Sequence, residues 1–270
     1  MDRESFKDFK RICQGNKIQV RKKEKKWWLA PFQFISIFIT WILVKTPISA
    51  NLITVFSIII GMTGLILIGL TKSLLIIIGF MFLYLYYTLD EVDGEVARYK
   101  EITSVQGVFY DEVGHILFYT GLFFTFGYCI YNITSDNLFL ILGILASFFL
   151  FGIRIIRRIP YVASSKGSAK KVIKDERNDV QNKSSKNSFS IFFIFRNIYT
   201  AFCTPIIITT TYFISFLIFF MSDNSLILKL IMICYAIFMF STFSLFILVR
   251  SRTIEKDVIK VYKIMNEENI

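Results

Sequence analysis

Three aspartates, one arginine and the only histidine of the chain follow one another between two apolar runs: Asp90, Asp93, Arg98, Asp111 and His115. Ionisable groups at or beside membrane depth are costly unless they pair, bind ions or line a wet cavity. Their concentration in one short stretch predicts that the functional site lies here.

Helical spacing arranges these residues in two rows. On the first predicted helix, four positions share one face because they recur at i, i+3, i+4 and i+7: Asp90, Asp93, Gly94 and Ala97. On the second helix, four positions recur at i, i+4, i+7 and i+8: Gly107, Asp111, Gly114 and His115. Helices joined by a short turn pack antiparallel, so the two rows are expected to face each other across a cleft.

A cleft with three carboxylates favours a divalent cation. Carboxylates a few ångströms apart repel one another, and a hard ion such as Mg²⁺ or Mn²⁺ with oxygen ligands relieves that repulsion. Magnesium usually keeps positions open for substrate phosphates, and Arg98 offers a bidentate donor for phosphate oxygens. The small residues Gly94, Ala97 and Gly107 let helices and a ligand approach closely. These features predict a pyrophosphate-bearing substrate.

A structural alternative explains the same charges without a metal. Asp90 and Asp93 could end a helix with Arg98 and Lys100 as ion partners. Asp111 and His115 could form a satisfied hydrogen-bonded pair inside the second helix. Both interpretations stay open at the level of spacing.

The composition is that of an integral membrane protein, because hydrophobic residues make up 54% of the 270 residues. Six runs are long enough to span a bilayer as helices. They cover Asn51–Leu70, Ser73–Leu89, Val108–Asn132, Asn137–Ile156, Asn197–Met221 and Leu226–Val249. The fold class is therefore predicted to be an all-α membrane protein with six transmembrane helices.

Basic residues set the expected orientation. Lys and Arg are concentrated in the arm 1–26, the connection 157–196 and the tail 250–270, which six spans place on one side. The positive-inside rule makes that side cytoplasmic, with both termini and the active site facing it. The run Trp27–Val44 is then an interfacial helix with its tryptophans at headgroup depth. A seventh span with an inverted N-terminus is the alternative.

These assignments divide the chain into a basic cytoplasmic arm (1–26), an interfacial amphipathic helix (27–46), a membrane catalytic domain (47–250) and a cytoplasmic tail (251–270). A flexible cytoplasmic loop is expected at 160–190, where Ser, Lys and Asn dominate. Although the net charge is +11, we expect no nucleic-acid binding, since the basic residues flank membrane spans. The scattered cysteines predict neither a disulfide framework nor a zinc site.

The motif around the charged cluster resembles the signature of the CDP-alcohol phosphatidyltransferase family, D-x-x-D-G-x-x-A-R, eight residues, then G-x-x-x-D-x-x-x-D. Seven of its eight positions match at the right spacing: Asp90, Asp93, Gly94, Ala97, Arg98, Gly107 and Asp111. Upstream, Thr46-Pro47 through Asn51 and Thr54 is similar to the family's Thr-Pro-Asn-x-x-Thr entry to the first span.

The resemblance implies metal-dependent transfer of a phosphatidyl or related group from a CDP-linked lipid to an alcohol, with release of CMP. It implies a homodimer among membrane lipids and Mg²⁺ or Mn²⁺ as cofactor. Asp90, Asp93 and Asp111 would bind metal. The nucleotide and pyrophosphate pocket would be shaped by Asn51, Gly94, Ala97, Arg98 and Gly107.

The chain departs from the family pattern at His115, where the family has its fourth aspartate, which is assigned as base and often as ligand of a second metal. Imidazole can also act as base near neutral pH. Asp111 and His115 are therefore the candidate catalytic residues. A structural histidine and a catalytically impaired homologue are the alternatives.

Arginines at the end of the fourth span and before the fifth could hold a phosphorylated acceptor: Arg154, Arg157, Arg158 and Arg196. Arg154, one turn deeper than its neighbours, is the best candidate. Ordinary flanking of a span by positive charge is the alternative.

Two other function classes remain beside the transferase. A non-catalytic membrane scaffold or CDP-lipid-binding homologue would account for His115. A divalent-cation transporter would account for intramembrane carboxylates, but no pair of broken helices marks the midplane.

Overall fold

The computed structural model of the protein describes residues 5–23, 27–165 and 204–267. Over these ranges the chain forms α-helices and one short 3-10 turn and contains no strand, so the all-α prediction is confirmed. Six of the helices in these ranges are long and apolar enough to cross a membrane. The chain is thus a multi-pass membrane protein.

The elements follow in the order α1 (Phe6–Lys23), a 3-10 turn (Trp27–Leu29), α2 (Ala30–Leu43), α3 (Ala50–Gly69), α4 (Ser73–Tyr99), α5 (Val105–Thr134), α6 (Asn137–Ser165), α7 (Pro205–Ser222) and α8 (Leu226–Glu267). The six candidate spans are α3 to α8.

Local sequence explains where the central helices begin. Ser49 and Ser104 have extended backbone and cap α3 and α5, where their hydroxyls accept hydrogen bonds from the amides of Leu52 and Gly107. Such caps satisfy amides that a helix start leaves unpaired. Pro205 opens α7, where its missing N–H costs nothing.

The two helices that carry the charged motif reach beyond the apolar runs that predicted them, as do α6 and α8, which end at Ser165 and Glu267. α4 continues past Leu89 to Tyr99, and at 27 residues it rises about 40 Å, which exceeds the roughly 30 Å of a bilayer core. α5 starts at Val105 rather than Val108. The motif from Asp90 to Arg98 therefore lies on the extension of α4, and Asp111 and His115 lie near the start of α5, at one end of the bundle, which we call the site end.

The core lies between the six helices α3 to α8. Tyr212 is fully buried, stacks on Phe126 at 4.0 Å between ring centroids and donates to the sulfur of Met232 at 2.9 Å. Phe80 packs against both Phe126 and Phe216. This aromatic packing fixes α4 and α5 relative to the rest of the bundle, and so fixes the two helices that carry the motif.

The helix α2 has 14 residues and is shorter than the six candidate spans. Its Phe34, Phe38 and Ile42 are exposed, whereas Ser36 and Thr40 on its other face are buried. An apolar face turned outward agrees with a helix that lies in a lipid interface. Its interfacial position stays a prediction, as do the domain boundaries at 26, 46 and 250.

The loop expected at 160–190 begins later than the sequence predicts, because α6 stays helical through Pro160 to Ser165. Residues 166–190 lie outside the described residues, as do Arg196 and the first residues of the predicted fifth span.

Candidate functional site

The ends of α4 and α5 bring Asp90, Asp111 and His115 together. His115 Nε2 lies 3.4 Å from Asp111 Oδ1 one turn earlier on α5, and its Nδ1 lies 4.0 Å from Asp90 Oδ1 on α4. One ligand atom of each residue lies within 4.8 Å of the others. We call these three residues the carboxylate–histidine cluster. Asp90 of the first predicted row therefore meets Asp111 and His115 of the second.

The two rows do not otherwise face each other, because α4 and α5 both pack more closely against α3 than against each other. Gly94 faces α1, whereas Gly107 and Gly114 face α3.

This cluster is accessible and poor in donors. The side chains of Asp90 and Asp111 are 29% and 45% exposed. Within the described residues, neither carboxylate accepts a hydrogen bond from a side-chain hydroxyl or amide. Carboxylates without such donors still have lone pairs for a cation or a substrate proton.

Asp93 occupies a different position from the other two aspartates. It is 9% exposed, and its Oδ2 accepts a hydrogen bond of 2.7 Å from the Thr54 hydroxyl of α3. It remains close enough to Asp90 and Asp111 to interact with their charges. Asp93 is thus beside the cluster rather than part of it, and a direct metal contact by Asp93 stays a proposal.

Two tyrosines orient His115. The hydroxyl of Tyr86 lies 3.4 Å from Nδ1, and the ring of Tyr119 stacks on the imidazole at 5.4 Å between centroids. Tyr86 itself is buried and stacked on Phe118 at 4.2 Å. The imidazole is therefore held by aromatic packing on an otherwise apolar part of α5.

Asn51 and Gly107 join the start of α3 to the start of α5. Asn51 Nδ2 donates to Ser104 Oγ at 3.0 Å, and Ser104 Oγ in turn accepts from the Gly107 amide at 2.9 Å. A Cβ at Gly107 would lie 2.7 Å from Asn51 Oδ1, a distance that side-chain carbons do not tolerate. Glycine is thus required at 107, one turn before Asp111.

Arg98 and Lys17 lie over Gly94 on the side of α4 that faces α1. Arg98 Nε donates to the Cys13 carbonyl at 2.7 Å. A Cβ at Gly94 would lie 3.2 Å from Arg98 Nη1 and 3.6 Å from Lys17 Nζ. Ala97 lies on the last turn of α4, and its carbonyl accepts from the Ile102 amide. The side-chain nitrogens of Arg98 and Lys17 therefore both lie next to Gly94.

Arg154 of α6 contacts two neighbours of the cluster on α5, Tyr119 and Glu112. Its guanidinium carbon lies 4.4 Å above the centre of the Tyr119 ring, and its Nη2 is 3.9 Å from Glu112 Oε2. Arg158 forms a closer ion pair with the same glutamate. The Nη1 atom of Arg154 is buried and has no hydrogen-bond partner among the described residues. Arg157 instead lies over Phe246.

Glu95 is the buried carboxylate that the sequence analysis missed. It is 1% exposed and accepts hydrogen bonds of 2.6 to 2.7 Å from Gln14 of α1 and from Ser36 and Thr40 of α2. We call Glu95 with these three donors the Glu95 hub. The signal that could have found it was the same one that singled out Asp90, a carboxylate on a membrane helix.

The donor set of the carboxylate–histidine cluster fits a divalent cation. The two carboxylates, whose ligand atoms lie within 4.8 Å of each other and of that of His115, are the oxygen ligands that Mg²⁺ and Mn²⁺ prefer, whereas imidazole is a more typical ligand of zinc, copper and iron. A cation held by the carboxylates would supply the charge that neutralises a phosphate, and the imidazole of His115 can accept a proton.

Comparison with known proteins agrees with the motif. The family model described as CDP-alcohol phosphatidyltransferase matches residues 47–174, a range that includes α3, α4, α5 and the whole carboxylate–histidine cluster. A search of the curated proteins finds no match. The match indicates a phosphotransferase of the CDP-alcohol type that acts in lipid synthesis. The chain therefore carries a segment of the CDP-alcohol phosphatidyltransferase family, over residues 47–174.

Proposed function

We propose that the protein transfers a phosphatidyl or related phospho-alcohol group from a CDP-linked lipid to an alcohol and releases CMP, with Mg²⁺ or Mn²⁺ as cofactor. The observation that carries the proposal is the meeting of Asp90, Asp111 and His115 from two helices within 4.8 Å. It lies inside the segment that matches the family.

Asp90 and Asp111 would hold the metal, with His115 or Asp93 as a further ligand. A divalent ion bound there supplies positive charge that stabilises the pyrophosphate oxygens and the CMP leaving group. Asp93 accepts from Thr54, which fixes one of its oxygens and leaves the other for a ligand role. Asn51 and Gly107 would position the start of α5 and so Asp111.

His115 would act as the base. The acceptor hydroxyl gives its proton to the imidazole while its oxygen attacks the phosphorus that carries the lipid alcohol. The bond from that phosphorus to the bridging oxygen breaks, and CMP leaves with the electron pair. Packing of His115 against Tyr119 and its contact with Asp111 hold the ring and stabilise the imidazolium that forms.

Arg154 would contact the acceptor. Its Nη1 atom is buried without a partner among the described residues, and it lies close enough to His115 to interact with its charge. A buried guanidinium nitrogen without a partner is costly, so a phosphate or hydroxyl oxygen of the acceptor is a suitable ligand.

The proposal includes the orientation and the oligomer that the sequence suggested. Both termini and the site end would face the cytoplasm, where basic segments are retained. The functional unit would be a homodimer in the lipid bilayer. Protease protection in oriented vesicles tests the orientation, and light scattering in detergent tests the dimer.

The experiment is CMP release by the purified protein from CDP-diacylglycerol, with Mg²⁺, Mn²⁺ or chelator and a panel of alcohols. We expect release that requires both metal and acceptor, and that Asp93→Ala abolishes. The proposal would be contradicted if no alcohol of the panel supported CMP release and the CDP-lipid did not bind in a metal-dependent way.

His115 is tested by two substitutions. His115→Asp restores the family's residue and is expected to keep at least partial activity, whereas His115→Ala should lose most of it. An Ala variant with full turnover would remove His115 from the mechanism.

A second candidate function is a catalytically impaired homologue that binds CDP-lipid or acts as a membrane scaffold. His115 in place of the family's last aspartate favours it. This function predicts metal-dependent CDP-lipid binding by the wild-type protein with no CMP release, and release of CMP by the His115→Asp variant.

A further inference from the structure

The space between α1 and the end of α4 has the character of an anion site. A cavity of about 460 Å³ lies there, and its lining includes three cationic side chains, Arg11, Lys17 and Arg98, and no carboxylate. Ligand sites in proteins commonly have volumes of about 300 to 1,000 Å³. The cavity is therefore large enough for a phosphate-bearing group.

Arg98 has an unused donor beside this cavity. Its Nε is satisfied by the Cys13 carbonyl, whereas its Nη2 is buried and has no hydrogen-bond partner within the described part of the chain. A buried, charged donor without an acceptor is destabilising. An anionic oxygen is the ligand that would satisfy it.

Lys17 extends this cationic surface toward the carboxylate–histidine cluster. Its ammonium and the Arg98 guanidinium both approach the place where Gly94 has no side chain, at 3.6 and 3.2 Å from a Cβ built there. Lys17 also lies close enough to Asp90 and His115 to interact with their charges. Lys17 and Arg98 both line the cavity, so a group bound there would touch both cations.

The present partner of Lys17 is compatible with exchange. Lys17 Nζ lies 3.4 Å from Glu91 Oε2, and the lysine side chain is 39% exposed. The Glu91 side chain is 12% exposed, so the pair is open to solvent on the lysine side. The pyrophosphate, which carries two negative charges, can therefore compete with the single carboxylate as the ligand of Lys17.

We propose that α1 belongs to the donor site, and that Lys17, together with Arg98, binds the pyrophosphate of the CDP-linked donor in this cavity. The inference rests on the proposed function and deepens it, because α1 lies outside the segment 47–174 that matches the family. It makes Lys17 a binding residue supplied by the part of the chain for which the sequence predicted only a basic arm.

The test measures binding of CDP to purified full-length protein in detergent by calorimetry, with Mg²⁺ present. Lys17→Met is expected to weaken CDP affinity at least about tenfold, since charge-assisted hydrogen bonds are among the stronger ones. Lys7→Met, an exposed lysine of the same helix that does not line the cavity, is the matched control and should bind as wild type.

Glu91 separates a binding role of Lys17 from a structural one. If Lys17 only neutralised Glu91, the double variant Lys17→Met/Glu91→Gln would recover wild-type affinity. If Lys17 contacts the phosphate, the double variant stays weak while Glu91→Gln alone binds CDP at least as well as wild type. Recovery in the double variant would overturn the inference.

Anionic lipid headgroups also carry phosphate and could occupy the same cavity. CDP binding measured in nanodiscs of phosphatidylglycerol and of phosphatidylcholine distinguishes a lipid headgroup from CDP as the ligand. If Lys17→Met changes only the dependence on phosphatidylglycerol and leaves CDP affinity unaltered, the cavity binds lipid and the inference fails. Wild-type protein that releases CMP while Lys17→Met binds CDP normally rejects this inference alone. Wild-type protein that neither binds CDP nor releases CMP rejects the proposed function with it.

Discussion

Glu95 and the carboxylate–histidine cluster lie at the same end of α4, yet their surroundings are opposite. Asp90 and Glu95 are five positions apart, which turns their side chains about 140° from each other on a helix. Glu95 is fully buried and accepts from three donors at 2.6 to 2.7 Å. Asp90 is part-exposed and has His115 at 4.0 Å.

The difference shows that charge on a membrane helix is not by itself a functional signal. Glu95 is compensated by hydrogen bonds that tie α1 and α2 to α4, so its role is to hold elements together. The carboxylates of the cluster are not compensated in this way and are available to a cation or substrate. The supply of donors, which depends on tertiary contacts, distinguishes the two.

Neutralising Asp111 is expected to give the largest difference between the cluster and the Glu95 hub. Asp111→Asn is expected to lower the rate of CMP release about 10³-fold or more, because a bound metal contributes several kcal/mol of transition-state stabilisation. Its free energy of unfolding should stay equal or rise, since repulsion from Asp90 is removed. Activity is measured with CDP-diacylglycerol, and stability by denaturant titration.

Asp136→Asn is the matched control for Asp111, since Asp136 lies at the opposite end of α5 and accepts from the Leu138 amide. It should leave the rate unchanged. An Asp111→Asn variant that keeps its activity within tenfold of wild type would contradict the assignment of the cluster.

Removing the Glu95 carboxylate is expected to affect chiefly the stability of the protein. Glu95→Ala removes the acceptor that Gln14, Ser36 and Thr40 share. Gln14 and Ser36 keep the Gln33 carbonyl as an acceptor, whereas the Thr40 hydroxyl loses the carboxylate that it donates to, and unpaired buried donors are destabilising. We expect the free energy of unfolding, measured by tryptophan fluorescence, to fall by about 3 kcal/mol. Trypsin should also cut α1 faster. Glu255→Ala, at an exposed position of α8, is the control. Equal stability of the two variants would contradict a stabilising role of Glu95.

The comparison also shows how much the sequence could predict. Spacing and the family motif predicted the meeting of Asp90 with Asp111 and His115, because a helix fixes which residues share a face. The six spans followed from length and hydrophobicity. These features are local, and local sequence determines them. Spacing and the motif did not predict that α3 packs against both α4 and α5, so that Gly94 faces α1 and Gly107 faces α3.

What the sequence could not predict depends on contacts between distant segments. Thr54 binds Asp93, and Lys17 approaches Gly94, only because α3 and α1 pack against α4. Glu95 occupies a variable position of the motif, so pattern matching passed over it. The sequence did not predict that α1 packs against α4, because the charges of this arm suggested a solvated segment.

Gly107 tests how the start of α5 positions the cluster. Gly107→Ala places a methyl 2.7 Å from Asn51 Oδ1 and 3.2 Å from Ser104 Oγ, so the pair must separate and α5 must shift. A displacement of about 1 Å at a reacting group can cost up to 100-fold, and we expect kcat/KM to fall about 10-fold to 100-fold. Gly69→Ala, whose nearest neighbour would be at an ordinary 3.8 Å, is the control. Equal kcat/KM in both variants would show that Gly107 is not needed.

The smallest change compares single hydroxyls on the two sides of α4. Thr54→Val removes the donor to Asp93, and Ser36→Ala removes one of three donors to Glu95. If Asp93 takes part in metal binding, Thr54→Val should lower metal affinity or activity about tenfold, as loss of a residue that orients a ligand does. Ser36→Ala should lower the free energy of unfolding by about 1 kcal/mol and leave turnover unchanged, because its hydroxyl contacts Glu95 rather than the cluster. Metal titrations of CMP release distinguish the two variants. An unchanged metal requirement in Thr54→Val would assign Asp93 to the structural side of the comparison, with Glu95.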